Sequence, residues 1–272
     1  MPDWLNILRG KRPRPRDIPD GLWQQTLANF PFLSRRSESD IAALRQLTRQ
    51  FLDRKEFHGA DGVQISDEIA VAIAAQACLP VLHIDTPYRC LDWYRDFVGI
   101  VVQAGPVRAQ RETVDAAGVV QRYDEILTGE AMQDGPVTLS WQDVMDAGRS
   151  AQDGYNVVIH EFVHKIDMRG GIADGCPPLP TGFMGAPSRL AAHRIWLSAL
   201  HAHYQDFCDK LSLAERFGGA PQWLDSYAAE SIDEFFAVAS EAYFVNPENF
   251  MRDFAALAPL FDAFFKPSRQ PG

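Results

Sequence analysis

A chain of 272 residues with 46% hydrophobic and 23% charged side chains has ordinary globular composition and can bury a sizeable core. Its formal net charge of -10 argues against direct nucleic-acid binding, which rests on basic surface and counterion release. No apolar run approaches the roughly 18 residues that a membrane span needs and no export leader is visible, so no membrane partner and a cytoplasmic location are expected.

In chain order, residues 1–20 include "RGKRPRPR", where Arg9, Lys11, Arg12, Arg14 and Arg16 are interleaved with Pro13 and Pro15, which predicts an extended basic tail. A single unit is expected over 21–266, with a helical part to about 90, a second part over about 91–266, and a short tail over 267–272. Ile41, Leu44, Leu47, Phe51 and Leu52 recur at helical spacing after "SESD", so an amphipathic helix is predicted there. Ser66 to Cys78 predicts a second helix, apolar enough to be buried and ended before Pro80. "FVGIVVQAG" and "GVVQRYDEILTGEAM" read as strands, and Val137 to Trp141 as one more after the Gly135-Pro136 turn. Helices are expected again over Asn156 to Arg169, about Ser188 to Leu211, and Ser231 to Val245. The fold class is therefore α+β, mainly helical, with a small mixed sheet. Cys78, Cys90, Cys176 and Cys208 are scattered, which fits reduced, mostly buried thiols.

The stretch "NVVIHEFVHKIDMRGG" carries the chemistry. On a helix His160 and His164, four apart, stand on one face and can aim their imidazoles at one point, which suits zinc. Glu161 beside them can serve a water as general base, completing an HExxH pattern. "YNVVI" before it and Gly170-Gly171 after it frame a packed helix. A catalytic zinc still needs a third protein ligand. Gly170 stands where a metzincin has its third histidine, so that class is excluded. Asp167 is either a partner supporting the ligands or a helix-end carboxylate. Glu234 is either the third ligand or, in Ser231-Ile-Asp-Glu234, the back-bonding member of a capping box. Glu241, two turns on, shares its face and is either an anchor for a histidine or a solvent charge. The Pro/Gly-rich loop Gly175 to Pro187 is a rim, a lid or a connector.

"GPVTLSWQDV", "GYNVVIHEFVHKID" and "SYAAESIDEFFAVASEAYF" together resemble the Mlc titration factor A family, bacterial zinc peptidases related to the catalytic domain of anthrax lethal factor. The resemblance implies a zincin-like metallopeptidase of gluzincin type holding one Zn2+ per chain, with Glu234, which opens Glu-Phe-Phe-Ala, as third ligand after His160 and His164. It implies that Tyr227, seven residues earlier, faces the metal and stabilises the charged intermediate. Lethal factor has a supporting glutamate four residues after its ligand, where this chain has Val238, which leaves Glu241 to orient a histidine. By the same analogy an extended peptide substrate would lie along a sheet edge, with Val137, Leu139 and Trp141 as the candidate strand. The implied activity is aminopeptidase-like hydrolysis with Glu161 as base, joined to regulation through binding an Mlc-like repressor of sugar uptake. The alternative is a mainly non-catalytic binder that sequesters such a repressor.

Overall fold

The computed structural model describes residues 17–86, 89–114, 120–219 and 222–267, with backbone alone at 107–114 and 120–127. The expected basic tail lies outside the described residues up to residue 16, as does most of the tail over 267–272. Helix α1 (Asp20–Asn29) follows Pro19, and because Ile18 and Trp23 are buried, packed structure begins inside the expected tail. A short helix α2 (Pro31–Ser34) leads to α3 (Glu38–Leu52), where Ser37 Oγ accepts from Asp40 N at 3.1 Å and caps the first turn. Leu44, Leu47 and Phe51 are buried on one face, as the spacing predicts, while Ile41 and Leu52 pack at the core margin. Strand β1 (Glu56–Gly59) escapes sequence reading because four residues with Glu56 and His58 exposed show no apolar alternation. Helix α4 (Asp67–Cys78) is buried from Val71 to its end, as its composition predicts.

The sheet consists of β1, β2 (Gly99–Gln103), β6 (Val137–Ser140) and β5 (Gly129–Ala131), in that order. The first three strands are parallel, and β5 runs antiparallel to β6 with Gly129 opposite Leu139 and Ala131 opposite Val137. The stretch "GVVQRYDEILTGEAM", read as strand, holds two strands in different sheets: β4 (Val120–Leu127) pairs with β3 (Val107–Val114) in a separate hairpin, and after Thr128 the chain enters β5. A correction concerns the assigned substrate strand. β6 ends at Ser140, whose Oγ accepts from Asp143 N at 3.4 Å, so Trp141 opens helix α5 (Trp141–Ser150) rather than closing a strand. Val137 and Leu139 are fully buried, and β6 is paired on both sides, so neither residue borders an open edge. The antiparallel edge belongs to β5.

Four helices complete the body around α6 (Val157–Asp167): α7 (Arg189–Phe217), α8 (Ile232–Val245), α9 (Pro247–Asp253) and α10 (Ala258–Phe265). α7 runs past the expected Leu211 because its first left-handed stop is Gly218, at φ 70. All eleven residues of α6 are buried; it packs against α8 and α4 on one side and β5 and β6 on the other. A helix without a solvent face belongs to the centre of a core. Among the described residues no helix is long and apolar enough to cross a membrane. Cys78, Cys90 and Cys176 are buried thiols, as the cysteine pattern predicts.

Candidate metal centre

Asn156 starts α6. Its backbone is extended, its Oδ1 accepts from Ile159 N at 2.9 Å, and the β-branched run Val157 to Ile159 is buried behind it. One turn on, the rings of His160 and His164 have centroids 4.7 Å apart and Nε2 atoms 3.1 Å apart. Glu234, in the first turn of α8, does not back-bond as the glutamate of a capping box would. Its backbone N–H donates to Ser231 Oγ at 3.4 Å, but its carboxylate turns away from the cap towards the imidazoles. Oε2 stands 3.0 Å from His160 Nε2 and 3.2 Å from His164 Nε2.

Two imidazole nitrogens and one carboxylate oxygen form a zinc donor set. Ligand atoms about 2.0–2.1 Å from a tetrahedral zinc are roughly 3.3 Å from one another, and the three sides here are 3.0, 3.1 and 3.2 Å. The residues therefore fit the ion. Electrostatics agrees. Burial favours a neutral His160, but hydrogen bonds to Glu234 and Glu241 outweigh it and hold its pKa well above the ordinary imidazole value. Burial also opposes charge on Glu234, yet the two imidazoles hold its carboxyl well below the usual carboxylate range. The cluster calls for positive charge at the point where the three atoms meet.

Glu241 is buried on α8, two turns beyond Glu234. Its Oε1 lies 2.8 Å from His160 Nδ1, and Oε2 accepts the backbone N–H of Asn156. Burial pushes its pKa up, with the His160 bond pulling the other way. A proton shared on the Nδ1 side leaves Nε2 turned towards Glu234 and His164. Asn156 Nδ2 in turn donates to Gln76 Oε1 at 2.8 Å, so α4, α6 and α8 are linked by one polar chain through the core.

Glu161 is buried beside β5. Burial pushes its carboxyl up to about 7 against the pull of the two imidazoles. Gly129 makes room for it, since a Cβ there would stand 2.5 Å from Glu161 Oε1 and 2.7 Å from its Cγ. Tyr227 sits on the turn Ser226–Ala229, held by its N–H to Asp225 Oδ1 at 2.9 Å. Its hydroxyl is 3.4 Å from Glu234 Oε1 and its ring centroid 6.0 Å from that of His160, with 38% of the residue exposed at the mouth of the site.

Asp167 closes α6, as the helix-end reading has it, but it is buried rather than at the surface and is bonded to no histidine: Oδ2 accepts from Gly175 N at 2.8 Å. Trp196 Nε1 donates to Gly175 O at 2.6 Å, so the base of the loop over 175–187 is held from both sides, and Phe183 within it is buried against Trp196. The loop is thus anchored at Gly175 and Phe183, while Pro178, Pro180 to Gly182, Met184, Gly185 and Pro187 are exposed. Three residues around the centre went unread in the sequence although signals existed. Gly129 is an isolated glycine in a strand, a mark of close backbone approach; Asn156 precedes an apolar run as an N-cap does; and Gln76 interrupts a wholly apolar helix.

A family model described as glucose-regulated metallo-peptidase M90 matches residues 5–266. Among curated proteins, Mlc titration factor A of Serratia proteamaculans (strain 568) is 33% identical over 245 residues, covering 90% of this chain and 86% of that protein. Mlc titration factor A of Salmonella arizonae is 32% identical over 248 residues, 91% of each chain. The Klebsiella pneumoniae protein of that name is 31% identical over 245 residues, 90% of this chain and 85% of the other.

Proposed function

The chain belongs to the glucose-regulated metallo-peptidase M90 family, and from that premise we propose that it is a zinc-dependent, aminopeptidase-like peptidase of gluzincin type with a zincin-like fold. The observation that carries the proposal is the near-equilateral triangle of His160 Nε2, His164 Nε2 and Glu234 Oε2, with Glu161 buried beside it. These three residues would hold one zinc per chain, and when bound the ion would supply Lewis acidity that activates water and polarises a carbonyl. Glu161 takes the proton of the attacking water and delivers it to the departing amine. Tyr227 donates its hydroxyl hydrogen to the developing oxyanion from the open side of the site. Glu241 keeps His160 in the tautomer that presents Nε2. The open edge of β5, whose first residue touches Glu161, pairs with an extended peptide.

Hydrolysis of a panel of chromogenic amino-acid and short-peptide substrates by zinc-loaded protein tests this reading beside Glu161→Gln of checked metal content. Activity is expected in the wild type and absent in a variant that still holds zinc. Full activity in that variant would remove Glu161 from the chemistry. The name of the relatives favours a second reading, in which this chain also binds an Mlc-like repressor in the cytoplasm through its outer surface. Glu161→Gln should then lose hydrolysis and keep the partner; losing both equally would mean that the two activities share one site.

A further inference from the structure

α6 carries two pairs at four-residue spacing. His160 and His164 form one row and Glu161 and Lys165 the next, about 100° round the helix. The histidine row faces Glu234; the second row faces β5 at both of its ends. Glu161 packs on Gly129, the first residue of the strand, and Lys165 Nζ donates to Met132 O, just past the last, at 2.8 Å. The same ammonium reaches Gly135 O at 3.4 Å, Asp96 Oδ2 at 2.8 Å, and lies 4.6 Å from the Phe97 ring centroid. Met132 O also accepts Gly135 N at 3.1 Å, with Asp134 between them at φ 52, so Lys165 closes the turn that returns β5 to β6.

The Lys165 side chain is 0% exposed. Burying an ammonium costs more than burying an apolar side chain of equal size unless it is paired, and a pair replaced by packed apolar groups is often no less stable. Stability alone therefore gives little reason for a lysine at a fully buried position of this helix. Direction does: an ammonium fixes two carbonyls of a turn at hydrogen-bond distance, which a methyl group does not. Across roughly 10 Å of strand, at about 3.3 Å per residue, Glu161 and Lys165 set both ends of the open edge from one rigid helix.

We infer that Lys165 is a positioning residue for the reaction: it fixes the far end of β5 against α6, so that a peptide pairing with this edge keeps its register with Glu161. The inference rests on the peptidase reading above. It is tested by kcat and KM of zinc-loaded Lys165→Met and Asp96→Asn on two substrates, a chromogenic single amino-acid amide and a fluorogenic peptide long enough to span β5. The ratio of kcat/KM, long peptide over amide, is expected to fall roughly 10- to 100-fold in Lys165→Met, chiefly through KM, as for a displacement of about 1 Å. Asp96→Asn should fall in the same sense and by less. An unchanged ratio, or equal losses on both substrates, would overturn the inference while leaving the peptidase reading intact. Failure of both variants to fold would overturn it too, by marking the cluster as a stability element. Wild-type protein that cleaves neither substrate would remove the peptidase reading and this inference together.

Discussion

Glu241→Gln isolates the control of a histidine tautomer from everything else at the centre. The wild-type carboxylate accepts at both oxygens, from His160 Nδ1 at 2.8 Å and from the backbone N–H of Asn156. An amide of nearly the same shape has one acceptor and one donor. The Asn156 N–H cannot reverse, so the amide oxygen goes there and the NH2 meets Nδ1. His160 must then offer a lone pair at Nδ1 and carry its proton on Nε2, the atom 3.0 Å from Glu234 Oε2 and 3.1 Å from His164 Nε2. Zinc binding has to expel that proton or accept two opposed donors. The expected loss is about 10- to 100-fold in zinc affinity, the usual effect of removing a partner behind a ligating histidine, or about 1.4–2.7 kcal/mol. Competition for zinc against a chelator of known affinity measures it, with thermal melts of the metal-free proteins to confirm folding. A zinc Kd within about twofold of wild type in a folded variant would refute tautomer control by Glu241.

Gly129→Ala is expected to lower kcat by about 100-fold with zinc content unchanged, because the new Cβ displaces the Glu161 carboxylate; undiminished kcat would show that the strand yields instead. Tyr227→Phe should cost roughly 100- to 1000-fold in kcat with little change in KM, and an equal effect on KM alone would make the tyrosine a substrate contact. Asp167 provides a pH test. Burial raises its folded pKa to about 7, so its contribution to stability is fully present below the unfolded value near 3.9 and is lost as pH rises through about 7. Asp167→Asn should therefore gain on wild type by up to about 4 kcal/mol between pH 4 and pH 8 in urea unfolding, whereas a constant difference across that range would exclude burial of this carboxyl as the cause.

The sequence made the ligand helix legible because its signals are local: a cap, a β-branched run and two histidines one turn apart. Glu234 and Glu241 were legible by residue with their alternatives left open, since a capping-box glutamate and a metal ligand share one spacing and only the packing of α8 on α6 brings the Glu234 carboxylate to the two imidazoles. The candidate substrate strand was misplaced within the sheet for a related reason. Val137 to Ser140 has strand composition because it lies in the middle of the sheet with Val137, Leu139 and Ser140 buried, while the edge strand beside it, Gly129–Ala131, is three residues of weak strand preference. The burial of Asp167 at the end of α6 was not legible, because nothing local announces that Gly175 returns to meet it. What escaped at Glu234 and Glu241 was a contact between residues distant in the chain.

An open sheet edge invites a second molecule of the same protein as readily as a peptide, and its length decides which hazard prevails. β5 is three residues long, with Gly129 buried and Glu130 and Ala131 half-buried, before the turn fixed by Lys165 closes it, and the opposite edge, β1, is four residues long with Glu56 and His58 outward. Within this four-stranded sheet, edges so short give little purchase for self-templated sheet growth.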